Sequence, residues 1–187
     1  MAKSDHKLAD AALKLLVKKD WPTLTLAGVA KAAKVPLAQL HSLSGGKQAL
    51  IVLMLDKFGA ETARHYSPDG GTVRDRIFDV AMAWFDVLAP HKKALRALYD
   101  GLKFDPLALI ALRGNFADAA NWLLVLANAD NGSFAAVRNA GFALILGRAL
   151  PAWLDDDKDL TKTMAQIDGD LNRVEELAKF VRPKAAT

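Results

Sequence analysis

Apolar residues recur along this chain at intervals of three and four, the period of an α-helix, and short clusters rich in Gly, Pro and Asp interrupt them. Leu8, Ala12, Leu15 and Leu16 mark one face of a first helix over residues 4–19, with Lys7, Lys14 and Lys18 on another face. Asp20 to Thr23 end it, because Pro22 disfavours the helical conformation at Trp21. Thr25 then suits an N-cap, and Leu26, Val29, Ala30 and Ala33 follow at helical spacing. Lys34 and Val35 form a tight turn, and Pro36 opens a short helix over residues 37–42, at a position where a missing amide proton costs nothing. Small residues at Ala27, Gly28, Ala30, Ala32 and Ala33 let two short helices cross closely, so residues 25–47 predict a helix-turn-helix.

The pattern continues after a turn at Gly45 and Gly46. Residues 47–66 predict a longer helix whose apolar residues, Ile51, Leu53, Met54, Leu55 and Phe58, lie on more than one side. Such a helix is expected to be buried between a head and a body and to carry movement from one to the other. Residues 67–71 read as a linker. Beyond it, helices are expected over residues 73–88, 91–102 and 106–128, with Pro90 as a stop and Gly114 as a bend or close-packing point. Ser133 suits the cap of the next helix, which Pro151 is expected to kink or end. In the last helix, over residues 160–181, Leu160, Met164, Ile167, Leu171, Val174, Ala178 and Val181 alternate by four and three. That seam calls for a partner along its length, and the last two helices of two copies are expected to form a four-helix homodimer interface.

With 52% hydrophobic residues and few β-branched runs, the fold class expected is all-α: a helix-turn-helix head over residues 1–46 and a helical body over residues 47–187. Charge is also unevenly placed. Residues 1–58 hold nine lysines, no arginine and four aspartates, a net +5, whereas the rest of the chain carries −1. A basic head on a near-neutral body suits phosphate attraction, and double-stranded DNA is the partner it points to. The absence of cysteine excludes disulfides and thiolate chemistry and agrees with a cytoplasmic location. The polar N-terminus lacks the apolar centre of a secretory signal, and the longest apolar run, residues 49–55, is too short to span a bilayer.

Residues 25–50 resemble the N-terminal DNA-binding domain of the tetracycline-repressor-like (TetR) family. There a capping threonine opens a helix with a branched residue and an alanine near its middle, here Thr25, Val29 and Ala30. Ala33 and Val35 flank the turn, Leu40 lies in the following helix, and Lys47 and Leu50 open the next, all in register without a gap. The family also tends to carry an aromatic residue near Trp21. It usually has glycine where this chain has Lys34, tyrosine at His41, and a histidine-phenylalanine pair at Leu43 and Ser44. That tyrosine commonly touches phosphate and the pair locks the helix end, so these differences bear on DNA contacts and leave the fold intact. The resemblance implies a DNA-binding transcriptional regulator, a repressor in its usual form, with a ligand cavity in the body.

A second resemblance, over residues 73–102, the segment Trp153, Leu154 and Asp155, and the last helix, is to the lipid-binding accessory family of coenzyme Q biosynthesis. That family shares the TetR-like fold, does not act as a repressor, and holds an isoprenoid lipid in its body. Its further membrane-binding C-terminal helix has no counterpart in the few residues after Val181, so no stable membrane association is expected.

Candidate chemistry is recognition rather than catalysis. His6, His41, His65 and His91 have no metal-ligand spacing, and Gly45, Gly46 and Lys47 lack the spacing of a phosphate loop, so neither an enzyme nor a cofactor is expected. Asp155, Asp156 and Asp157 suit dipole compensation before a helix better than a metal site. On the reading helix, Gln39 suits an adenine, and His41 and Ser42 a phosphate or base. Lys34, Lys47 and Thr25 are expected phosphate contacts. In the body, Trp84, Phe85, Leu109, Phe116 and Trp122, with Trp153, are expected to line a pocket for a small hydrophobic ligand.

Overall fold

The computed structural model describes residues 3–40, 45–132 and 135–181. Helices and short 3-10 turns account for all the regular structure of these residues. In order they are α1 (Lys3–Leu16), α2 (Leu26–Ala33), α3 (Leu37–Leu40), α4 (Ala49–His65), α5 (Val73–Leu88), α6 (Lys92–Leu102), α7 (Pro106–Leu126), α8 (Ala135–Leu154) and α9 (Thr161–Val181). They fall into two compact units, one built from the described residues up to His65 with Asp86–Ala119, the other from Tyr66–Phe85 with the described residues from Ala120 onward.

In the first unit α1 is the central pillar. Leu8, Ala9, Ala12, Leu13 and Leu16 are fully buried, and α2, α4 and α6 all pack against α1. The helix ends three residues before the sequence pattern predicts, because the amides of Lys18 and Lys19 both turn back to the Leu15 carbonyl. α4 buries Leu50, Met54 and Phe58, and its Lys57 is buried too. A buried ammonium needs opposite charge, which Asp10 of α1 (3.5 Å) and Glu61 one turn along supply.

In the second unit the α5 residues Ile77, Val80, Ala81, Trp84 and Phe85 are buried, as are Leu123 and Leu124 of α7 and Phe142, Ile145, Leu146, Ala149 and Trp153 of α8. α8 and α9 pack together as a hairpin. Arg76 closes the end of α7, its Nε donating to the Ala127 carbonyl at 2.8 Å and a terminal nitrogen to the Gly71 carbonyl at 3.0 Å.

Several expectations are revised. α8 continues through Pro151 to Leu154, because a proline in the last turn removes a single amide donor and leaves the remaining bonds intact. α7 runs uninterrupted through Gly114, and among the described residues no neighbour outside the helix backbone lies within 4 Å of where a side chain would begin there. The seam of α9 turns partly outward: Ile167 and Leu171 are buried beside Thr163 and Asp170, whereas Met164 and Val174 are exposed. The polar pair belongs inside because both are bonded. Asp156 Oδ2 accepts from the Thr163 amide (2.7 Å) and hydroxyl (2.8 Å), and Asp170 accepts from Arg148 Nε (3.0 Å) and Gln166 (2.8 Å). Asp156 therefore fastens the first turn of α9 from upstream. Ser133 lies outside the described residues.

Candidate nucleic-acid interface

Local chemistry builds the helix-turn-helix one residue at a time. Thr25 sits in an extended conformation (φ −117°, ψ 146°), and its Oγ1 accepts from the Gly28 amide at 3.1 Å, satisfying one of the orphan donors that open α2. Lys34 ends the helix in the left-handed region (φ 55°, ψ 41°), and the Val35 amide reaches back to the Ala30 carbonyl at 3.0 Å. A glycine takes that conformation without strain, and here a lysine takes it. Val29, Ala30, Ala33, Val35 and Leu40 are buried and hold the two helices together.

The opposite side is exposed: Lys31, Lys34, Leu37, Ala38 and Gln39 all face solvent. Leu37, at the start of α3, is 57% exposed. An apolar side chain there suits a thymine methyl group, and sequence reasoning passed over it. No such signal stands in the sequence, since residues three apart share a helix face and the spacing of Leu37 and Leu40 points to burial of both. Lys31 was passed over as well, although it follows the buried Ala30. Thr25, Lys34 and Gln39 belong to this motif, whereas His41 and Ser42 lie outside the described residues.

Lys47 is placed differently. Its Nζ donates to the Trp21 carbonyl at 2.8 Å and to the Pro22 carbonyl at 3.4 Å, and it stands 4.6 Å from the centre of the Trp21 ring. Burial holds this ammonium below the usual lysine range, with the carboxylate of Asp105 pulling the other way. Trp21 itself is buried, as expected for the aromatic residue closing the core of the head.

No family model matches the sequence, and no curated protein matches it. Solved structures do. A TetR transcriptional regulator from Rhodococcus sp. RHA1 aligns with a TM-score of 0.61 at 15% identity, over 96% of this chain and 97% of its own. The TetR family repressor AlkX from Dietzia sp. strain DQ12-45-1b, implicated in biodegradation of n-alkanes, aligns with a TM-score of 0.52 at 18% identity, over 92% and 95% of the two chains. The chain has the TetR-like fold.

Within that TetR-like fold the expected body residues divide. Trp84 and Phe85 are buried with ring centres 5.2 Å apart, and Phe85 lies 5.6 Å from Trp153, which is also buried. These three form one aromatic cluster in the second unit. Trp122, in the same unit, is 43% exposed. Leu109 (46% exposed) and the half-buried Phe116 belong to the first unit. Among the described residues no helix is long and apolar enough to cross a membrane.

Proposed function

We propose that this protein is a cytoplasmic TetR-type transcriptional regulator, a repressor in its simplest form, that binds double-stranded DNA as a homodimer and responds to a small apolar ligand. One observation carries the proposal: the helix-turn-helix buries Val29, Ala30, Val35 and Leu40 and turns Lys31, Lys34, Leu37 and Gln39 outward. A helix-turn-helix reads base edges from the first residues of its second helix and touches phosphate from the flanks. Leu37 and Gln39 then meet thymine methyl and adenine, with His41 and Ser42 beyond them, while Thr25, Lys31 and Lys34 meet phosphate. With no arginine in the head, guanine loses its commonest partner, so the operator is A/T-biased. Likeness in fold to two regulators agrees with this reading; a lipid-binding accessory protein of coenzyme Q biosynthesis, which shares the fold, is the alternative.

In this reading the ligand enters the second unit beside the Trp84, Phe85 and Trp153 cluster and shifts DNA affinity only by its differential binding to the two spacings of the heads. Docking on one duplex face requires reading helices about 34–36 Å apart. Fluorescence anisotropy with genomic DNA fragments at two salt concentrations tests the proposal. Competable, salt-sensitive binding supports it. Absence of DNA binding, with an isoprenoid lipid recovered by native mass spectrometry, replaces it with the carrier.

A further inference from the structure

The 3-10 turn Trp21–Thr23 stands immediately before the cap of the helix-turn-helix, and two other elements of the same unit close on it. From one side comes Lys47, at the start of the path into α4, whose ammonium holds the Trp21 and Pro22 carbonyls and lies over the Trp21 ring. Those carbonyls belong to a turn in which Leu24 already donates to Trp21 and Thr23 to Asp20, so the lysine adds a long-range tie to a locally closed loop. From the other side comes α6. A Cβ added at Gly101 would lie 2.6 Å from the Trp21 Cβ and 3.1 Å from the Pro22 Cδ. The Trp21 Cβ is the root of its side chain and cannot rotate away, so α6 sits this close only because residue 101 has no side chain. Glycine is disfavoured inside a helix relative to alanine, and close approach is the compensating gain. Asp105, one turn beyond, lends its charge to Lys47 while its carboxylate caps α7 through the Ala108 amide at 3.0 Å.

We propose that Lys47 and Gly101 are positioning residues, which seat the Trp21–Thr23 turn between the start of α4 and the end of α6 and thereby fix the pose of the helix-turn-helix on α6. Lys47 acts here through the turn and not through a DNA phosphate. Its consequence for DNA rests on the regulator reading above, but its structural content does not.

Two variants of the full chain, Lys47→Met and Gly101→Ala, are compared with the wild type by hydrogen exchange and by DNA anisotropy. The methionine keeps much of the apolar stem and removes the ammonium; the alanine adds one methyl group. Each is expected to raise amide exchange of residues 25–33 by about tenfold or more while leaving α8 and α9 as protected as before. DNA affinity is expected to fall by about tenfold in both, with the wild-type salt slope retained. A phosphate contact gives a different result: Lys47→Met then lowers the salt slope by about one and leaves exchange in α2 unchanged, which overturns the proposal. Unchanged α2 exchange in Gly101→Ala overturns it as well. Should the wild type fail to bind DNA, the regulator reading falls and the exchange data alone decide the positioning role.

Discussion

Lys34 has a role in the fold, and the proposed regulator gives it a second one in DNA contact. Its left-handed backbone (φ 55°) allows the Val35 amide to return to Ala30, and a residue with a Cβ holds that conformation at a cost of roughly 1–2 kcal/mol. A glycine would relieve the cost, less a few tenths of a kcal/mol for its freer unfolded chain. The lysine is thus a locally strained choice, and in the proposed regulator it stands at the edge of the reading surface, where a positive charge meets phosphate. Lys34→Gly is therefore expected to raise the melting temperature by about 2–4 °C, as a gain near 1 kcal/mol does for a chain of this size. The same variant is expected to weaken DNA binding and lower its salt slope by about one. A variant that melts no higher and binds with unchanged slope would show that Lys34 is neither strained nor in contact with DNA.

At the scale of elements, helices were legible wherever local chemistry specified them. Thr25 before an apolar period announced α2, and Pro36 announced the turn into the reading helix, because capping and proline stereochemistry act within one turn of chain. Contacts distant in sequence were not legible. Lys47 reads in the sequence as a phosphate contact, and no local pattern announces that its ammonium also reaches carbonyls 26 and 25 residues earlier; the outward set of the α9 seam likewise follows from where Asp156 and Arg148 anchor Thr163 and Asp170. His91 belongs to the same class. No metal-ligand spacing surrounds it in sequence, yet its ring lies 5.5 Å from that of Phe58, tying the turn before α6 to α4. Burial lowers its pKa, the Lys57 ammonium lowers it further, and Glu61 and Asp10 oppose both. The unfolded chain then binds a proton at this histidine at a higher pH than the folded chain does. Stability is complete above the ordinary histidine value, about 6.5, falls as pH drops through the depressed native value, and levels below it. His91→Gln is expected to flatten that part of the profile, measured by urea unfolding between pH 7.5 and 5. An unchanged profile would mean that the contact with Phe58 does not discriminate between the two protonation states.

The whole molecule poses a question that no single element answers, namely what covers the outward apolar residues of the last two helices. α8 and α9 already satisfy one another on their inner faces, through Ile145, Leu146, Ile167, Leu171 and the Arg148–Asp170 pair. Their other residues include Val137 (71% exposed), Leu144 (69%), Met164 and Val174. Small residues, Ala140, Gly141 and Gly147, lie between Val137 and the end of the α8 stripe and allow a second helix to approach closely. In the proposed homodimer a second copy of the same hairpin supplies the matching surface under twofold symmetry. In the regulator reading, pairing also joins two heads, and the second half-site is then bound at the effective concentration set by the first. Leu144→Glu places a charge at the centre of that surface without touching the inner core. It is expected to sediment as a monomer at micromolar concentration, to keep the wild-type helical circular dichroism, and to bind a two-half-site operator about 100-fold more weakly. A variant that remains dimeric would move the interface away from α8, and one that is monomeric yet binds the full operator undiminished would show that each head reads DNA alone.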